Sequence, residues 1–178
     1  MHEEAEAQSA YAHSAGILAE SIVKKLSAQN KTIAAAESCT GGMAADLIIR
    51  IPGASRVFWG SFVSYTEDAK VIMLGVPPEL IKEFGVVSRE TAIAMAEGAR
   101  KKSGASWAFS VTGLAGPDGD GLNPVGTVWI AVAGWKGDIK DNMRTEAKML
   151  LFNGNRNEIR EKAATAALEM VFEKINNK

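Results

Sequence analysis

The sequence contains little cysteine and little histidine, and both shortages limit the chemistry available to it. Cys39 is the only cysteine among the 178 residues, so no disulfide can form within the chain. The two histidines, His2 and His13, lie near the N-terminus in a polar segment. This distribution excludes zinc sites built from clustered cysteines and histidines, and it disfavours a nucleophile activated by histidine. If the chain carries out acyl transfer, lysine is the obvious base.

Long apolar runs and a strong net charge are also absent. No run approaches the roughly 20 apolar residues that span a bilayer, and the acidic N-terminus is unlike a signal peptide. The formal net charge is -1, which gives no indication of a nucleic-acid or membrane partner. Together with the single cysteine, these features predict a cytoplasmic protein.

The composition is that of an ordinary globular domain, with 47% hydrophobic and 23% charged residues. Residues 1–13 are predicted to form a polar N-terminal tail, and residues 14–178 a single domain. Predicted strands alternate with helices in the first half of the chain, whereas the last two strands follow each other directly and precede a final helix. This order predicts an α/β fold of three layers, α/β/α, with a mixed, mostly parallel sheet and a C-terminal β-hairpin plus helix.

The predicted elements have definite bounds. The strands are expected at 32–36, 57–65, 106–111, 125–135 and 145–152. The helices are expected to begin at Ser14 and then to cover 43–49, 67–74, 77–84, a segment capped by Ser88, and 157–175.

Ser38 lies in the segment Ala36-Glu37-Ser38-Cys39-Thr40-Gly41-Gly42, between a predicted buried strand and a helix. A strand-to-helix turn places a side chain above the sheet edge, beside backbone N–H groups that have no helical partner. Such a position suits a nucleophile or a bound anion. Three alternatives stay open: Ser38 or Thr40 only caps the helix, Cys39 is the nucleophile, and Glu37 is an acid or a hydrogen-bond anchor.

Tyr65 and Lys70 form a second group of candidates. Tyr65 ends a predicted strand, and Lys70 lies one turn into the following helix, just before an apolar run. Partial desolvation would lower the pKa of the Lys70 amine, as a general base at neutral pH requires. The alternative is a snorkelling lysine and a core tyrosine with its hydroxyl at the surface.

A glycine-rich loop, Thr112 to Gly121, follows the third predicted strand. Its backbone N–H groups suit an anion. The loop matches neither a Walker motif nor a dinucleotide fingerprint, and it lacks the closing glutamate of a calcium loop. A plain loop without a ligand is the alternative. On the last helix, Arg156 and Arg160 are spaced to reach a phosphate together or to belong to a solvated charged face.

These segments resemble the CinA C-terminal domain family in order and spacing, from about Ser14 to Ile175. The motifs that carry the resemblance are the segment around Ser38, Pro52-Gly53-Ala54-Ser55, Tyr65 with Lys70, Gly75-Val76, Gly113-Leu114-Ala115-Gly116-Pro117-Asp118-Gly119 and Pro124-Val125-Gly126-Thr127-Val128. The family includes nicotinamide-nucleotide amidases of the PncC type. The resemblance therefore implies hydrolysis of nicotinamide mononucleotide to nicotinic acid mononucleotide and ammonia, with neither a metal nor another cofactor.

Carried over by position, the resemblance implies that Ser38 is the nucleophile, Lys70 its base and Tyr65 an assistant in proton transfer. The nucleotide and the oxyanion would be held by a set drawn from both loops and the final helix: Glu37, Thr40, Gly41, Gly42, Thr112, Gly113, Ala115, Gly116 and Arg156. The sequence departs from the family pattern at Asp118-Gly119-Asp120-Gly121, where relatives often have adjacent glycines and a longer insertion. It also departs at Asn155, where they commonly have aspartate.

A function of another class stays open, namely a non-catalytic nucleotide-binding or regulatory module of the competence/damage-inducible type. Many relatives carry an additional N-terminal domain that resembles molybdopterin-binding proteins, so we expect either a stand-alone form or a piece of a longer protein. The expected partner is a small-molecule nucleotide. An exposed strand edge and apolar residues such as Trp59 and Trp135 also predict a homo-oligomer.

Overall fold

In the computed structural model, residues 2–135 and 143–176 are described, with side chains for 14–134 and 144–176. The strands are β1 (Ile33–Glu37), β2 (Phe58–Val63), β3 (Trp107–Gly113), β4 (Thr127–Trp135) and β5 (Met143–Leu151). They form one sheet of order β2-β1-β3-β4-β5. β1 pairs in parallel with β2 and β3, whereas β4 pairs antiparallel with β3 and β5. Because only β4 is reversed among these described strands, the mixed, mostly parallel sheet and the C-terminal hairpin are confirmed.

The helices are α1 (His2–Ala28), α2 (Met43–Ile49), α3 (Glu67–Ala69), α4 (Pro78–Phe84), α5 (Arg89–Ser103) and α6 (Arg156–Asn176). A short 3₁₀ turn covers Ala54–Arg56. Helices α1, α2 and α6 pack together on one face of the sheet, and α4 and α5 pack on the other, which gives the predicted three layers. Helix α1 begins at His2, whereas the sequence predicts its start at Ser14. The side chains of residues 1–13, including both histidines, lie outside the described residues.

The central strand β1 is buried at all five positions, as expected for a parallel strand covered on both faces. Successive side chains of a strand point to opposite faces. Ile33 and Ala35 belong to the apolar cluster shared with α1, α2 and α6. Ala34 and Ala36 belong to the cluster on the α5 face. The small alanine side chains let α5 approach this face closely.

The parallel strands place the three sequence motifs at one edge of the sheet. From β1 the chain crosses to β2 on one side and later returns to β3 on the other. In open α/β sheets such a switch point leaves a crevice outside the carboxyl ends of the strands. Ser38 directly follows β1, Tyr65 follows β2, and Thr112 lies at the end of β3. The fold therefore creates a crevice beside Ser38.

The segment that carries Lys70 is not the regular helix predicted for 67–74. Thr66 caps α3 as expected, because its Oγ1 accepts a hydrogen bond from the Ala69 N–H at 3.1 Å. The backbone then widens into a π-turn, Lys70–Leu74. Such turns often occur at functional sites. The turn lies close to α5 at Gly98, where an added Cβ would collide with the Leu74 carbonyl oxygen.

None of the helices in the described ranges is long and apolar enough to cross a membrane. On the edge strand β2, the Trp59 side chain is 53% exposed and its ring stacks on Phe62. The side chain of Trp135 lies outside the described residues. Self-association of the chain stays a prediction.

Candidate active site

The side chains of Ser38 and Lys70 meet at the carboxyl edge of the sheet. Lys70 Nζ lies 3.0 Å from Ser38 Oγ, 2.9 Å from the Ser64 carbonyl oxygen and 3.3 Å from the Tyr65 carbonyl oxygen. The two carbonyls accept two of the amine hydrogens, so the third position on nitrogen is directed at Ser38 Oγ. When the amine is neutral, that position is a lone pair that can accept the hydroxyl proton.

Burial increases the fraction of the Lys70 amine that is neutral near pH 7, and only the neutral amine can accept a proton. The side chain is fully buried, and loss of hydration lowers its pKa from 10.5 to about 8. The Cys39 thiol and the Glu67 carboxylate oppose this shift, but desolvation dominates. Among the side chains of 14–134 and 144–176, no carboxylate forms an ion pair with Lys70. The amine is therefore close to the protonation equilibrium that general-base catalysis requires.

The turn after β1 holds Ser38 in place. The Ser38 N–H donates to the Val111 carbonyl oxygen at 2.9 Å, which extends the ladder between β1 and β3 by one residue. The Gly41 N–H donates back to the Ser38 carbonyl oxygen at 3.0 Å. Gly41 adopts φ of 60°, a left-handed conformation that favours glycine. The nucleophile candidate therefore lies on a tight turn with a fixed backbone.

The hydrogen bonds of Glu37 favour the role of a hydrogen-bond anchor over that of a substrate ligand. Its side chain is fully buried. One carboxylate oxygen accepts from the N–H groups of Gly42 and Ala44, and the other from the Ala45 N–H and the Ser61 hydroxyl, all at 3.0–3.1 Å. The four protein donors leave no capacity for a ligand. The carboxylate thus ties the end of β1 to the start of α2.

We expect Glu37→Gln to lower the free energy of unfolding by roughly 2–3 kcal/mol, because an amide NH₂ would face N–H donors that need an acceptor. Urea denaturation of the variant and of the exposed-site control Glu83→Gln measures the difference. Unchanged stability combined with a large rise in KM would instead support the ligand role.

A cavity of about 280 Å³ opens over Ser38. The predicted site residues that line it are Ser38, Tyr65, Thr112, Gly113, Ala115, Gly116 and Arg156. Its other lining residues are Cys39, Val86, Val87, Leu114, Asp118 and Asp120. The two valines precede the Ser88 cap as ordinary apolar residues, so no sequence signal marked them.

Besides Glu37, three predicted ligands do not line this cavity. Thr40 is fully buried, and its hydroxyl has no hydrogen-bond partner in the described part of the chain. Gly41 and Gly42 are not among the residues that line the cavity. These residues belong to the turn between β1 and α2. Their role as substrate contacts stays a prediction.

Two predicted side chains form protein contacts that differ from their predicted roles. The Thr112 hydroxyl donates to the Val86 carbonyl oxygen at 2.9 Å, which joins β3 to the segment before α5. The Tyr65 hydroxyl bonds to the Arg156 guanidinium at 2.8 Å. Arg156 also donates to the Gly116 carbonyl oxygen. In this arrangement the Tyr65 hydroxyl orients Arg156 at the cavity mouth, while only the Tyr65 carbonyl contacts Lys70.

Cys39 lines the cavity beside Ser38, yet its thiol is a poor nucleophile. Burial raises its pKa to about 11, so the reactive thiolate is scarce at neutral pH. In the part of the chain that the structure describes, no three His, Cys, Asp or Glu side chains gather as metal ligands.

Comparison with known proteins identifies the family. Residues 16–175 match the CinA C-terminal domain. A CinA-like protein of Anaeromyxobacter sp. (strain K) is 44% identical over 155 residues, which cover 86% of this chain and 36% of that protein. A putative competence-damage inducible protein of Symbiobacterium thermophilum is 46% identical over 157 residues, covering 86% and 37%. The chain thus spans little more than a third of the length of these relatives.

Solved structures show the same fold. The competence/damage inducible protein CihA from Agrobacterium tumefaciens has a TM-score of 0.82 and 38% identity, covering 92% of this chain and 96% of that one. The competence damage-inducible protein A from Klebsiella pneumoniae has a TM-score of 0.84 and 29% identity, covering 92% and 98%. On sequence and structure alike, this chain belongs to the CinA C-terminal domain family.

Proposed function

We propose that the chain hydrolyses the carboxamide of nicotinamide mononucleotide to nicotinic acid mononucleotide and ammonia by a serine–lysine mechanism. The observation that carries the proposal is the 3.0 Å contact between Lys70 Nζ and Ser38 Oγ. The amine is buried without a carboxylate partner among the described side chains, and its pKa is lowered to about 8. The identity of the substrate rests on the resemblance to the family's nucleotide amidases.

In the acylation step, neutral Lys70 removes the hydroxyl proton of Ser38 while Oγ attacks the carboxamide carbon. The carbonyl oxygen becomes an oxyanion in a tetrahedral intermediate. The Lys70 ammonium then donates its proton to the departing nitrogen, the C–N bond breaks, and ammonia leaves. The products of this step are an ester on Ser38 and a neutral Lys70.

In the deacylation step, a water molecule takes the place of ammonia beside Lys70. Lys70 removes a proton from this water as its oxygen attacks the ester carbon, and then returns the proton to Ser38 Oγ as the ester bond breaks. Nicotinic acid mononucleotide leaves and the starting state is restored. One buried amine therefore serves as base and acid in both halves of the reaction.

The shape and charge of the cavity are compatible with such a substrate. Its volume of about 280 Å³ is near the lower end of the range for small-molecule sites, so the pyridine ring would enter while the ribose phosphate stays at the mouth. Arg156 lies at that mouth and is held there by Tyr65 and Gly116. Its guanidinium suits a phosphate.

Ammonia release and pyridine product formation from nicotinamide mononucleotide test this function. We expect turnover of the mononucleotide and a kcat/KM at least about tenfold lower for nicotinamide riboside, which lacks the phosphate that Arg156 would bind. Calorimetric binding of the mononucleotide without turnover would favour the non-catalytic module instead. Absence of both binding and turnover would reject the nucleotide assignment.

The rate should depend on the protonation of Lys70. Below pH 8 most of the amine is protonated and Ser38 lacks its base, so kcat/KM should rise with pH about tenfold per unit and level off. The midpoint should lie near the pKa of Lys70, about 8. Initial rates between pH 7 and 10 measure this midpoint. In that range ionisation of the substrate phosphate does not interfere, because the second pKa of a phosphate monoester is about 6. A profile that is flat from pH 7 to 10 would contradict the lysine base.

A further inference from the structure

Arg160 on α6 contacts the turn that carries Ser38, although it lies far away in the sequence. Its Nε donates to the Cys39 carbonyl oxygen at 2.9 Å, and its NH2 donates to the Thr40 carbonyl oxygen at 3.2 Å. A third bond, to the Asn157 side chain at 3.4 Å, fixes the guanidinium against its own helix. The rigid fork of arginine is well suited to hold two carbonyls at once.

This contact affects the amide groups beside Ser38. In a trans peptide the C=O and the following N–H point in opposite directions, and among the described residues the one cis peptide is Gly116-Pro117. The bond from Arg160 to the Cys39 carbonyl therefore directs the Thr40 N–H away from the guanidinium. In the same way, the bond between the Gly41 N–H and the Ser38 carbonyl orients the Cys39 N–H.

The amide of Cys39 is also the donor of this turn that is available beside the cavity. The Ser38 N–H is bonded to Val111, the Gly41 N–H to Ser38, and the Gly42 N–H to the Glu37 carboxylate. Within the described ranges, no other residue accepts a hydrogen bond from the Cys39 N–H, and Cys39 lines the cavity. Thr40 is fully buried and does not line it. Donors that are fixed before the substrate arrives are what an oxyanion requires.

We infer that Arg160 is a positioning residue. By clamping the carbonyls of Cys39 and Thr40, its guanidinium holds the turn after β1 in the conformation that presents the Cys39 amide to the oxyanion formed when Ser38 attacks. Arg160 touches neither the substrate nor the Ser38 side chain. The inference rests on the proposed nucleophilic role of Ser38, but it does not depend on which amide is hydrolysed.

A fluorophosphonate reagent tests the inference independently of the natural substrate, because it is attacked by Ser38 with development of negative charge on a phosphoryl oxygen. The second-order rate constant of labelling is measured for wild type, Arg160→Gln, Arg160→Lys and the exposed-site control Arg89→Gln. We expect Arg160→Gln to react about 100-fold more slowly. Arg160→Lys should be intermediate, since an ammonium reaches fewer acceptors, and the control should equal wild type.

The affinity for the product distinguishes a positioning role of Arg160 from a purely structural one. We expect the affinity for nicotinic acid mononucleotide to change less than about threefold in Arg160→Lys, because the effect belongs to the transition state. Wild-type labelling rates in both Arg160 variants would overturn the inference, as would equal losses in labelling and in product affinity. Labelling of wild type without amide hydrolysis would reject the proposed substrate alone, whereas an unlabelled wild type would reject the nucleophile and this inference together.

Discussion

Ser38→Ala should abolish hydrolysis of nicotinamide mononucleotide, with kcat reduced at least about 1,000-fold. Without Oγ no ester can form, and the neutral Lys70 amine would have to activate water directly against the amide. Substrate affinity should change little, because the hydroxyl is small and the walls of the cavity come mainly from other residues. Steady-state ammonia release measures kcat, and calorimetry with the product measures affinity.

The control for this change is Ser55→Ala, an exposed serine away from the cavity, which should behave as wild type. A second variant, Cys39→Ala, addresses the neighbouring nucleophile. It should keep kcat within about tenfold, because a thiol whose pKa is raised to about 11 is almost entirely protonated at neutral pH. If Ser38→Ala retained activity that Cys39→Ala lost, the thiol would be the nucleophile.

Replacing Lys70 should lower kcat by a factor comparable to that expected for Ser38→Ala. We expect Lys70→Met and Lys70→Arg each to lower kcat at least about 1,000-fold, since neither side chain can accept the Ser38 proton. The arginine variant separates two roles, because it keeps a positive charge but has no neutral form near neutral pH. Activity in Lys70→Arg would show that the charge, rather than proton transfer, is what the site requires. The exposed Lys82→Met serves as the control.

The same variants should reveal the free-energy cost of burying the Lys70 amine. The pKa of Lys70 is 10.5 in the unfolded chain and about 8 in the folded protein, so the unfolded state binds more protons between these values. The unfolding free energy of wild type therefore rises with pH through this window, relative to Lys70→Met, by about 3 kcal/mol in total. Urea denaturation at pH 7.5 and pH 10, which both lie close to or inside this window, should show roughly 2 kcal/mol of the rise. A pH-independent difference would mean that the amine titrates alike in both states.

Local sequence signals predicted much of the fold because they act over a few residues. The predicted helix 43–49 has the bounds of α2. Thr66 and Ser88 form the side-chain caps expected of them, each accepting the N–H three residues later. The buried strand before Ser38 was marked by an uninterrupted apolar run, and its burial on both faces gives that run its physical meaning.

The features that the sequence did not indicate arose where distant residues decide the local structure. The helix after Thr66 widens into a π-turn at Lys70, which no propensity in 67–74 indicated. Glu37 was a candidate ligand until its four protein donors were known. The Tyr65 hydroxyl was expected to assist proton transfer, yet it bonds to Arg156 from the other end of the chain.

The sequence by itself determined which chemistry is possible: one cysteine and two N-terminal histidines left lysine as the base, and the strand-to-turn pattern with the family resemblance selected Ser38 and Lys70. Only the tertiary structure decided that the Ser38 and Lys70 side chains lie 3.0 Å apart. It also decided that Arg160, on α6, holds the turn after β1 through the Cys39 carbonyl. The reason is physical. Capping and burial patterns act between near neighbours, whereas desolvation of an amine and the direction of a guanidinium depend on what the sheet and helices bring around them.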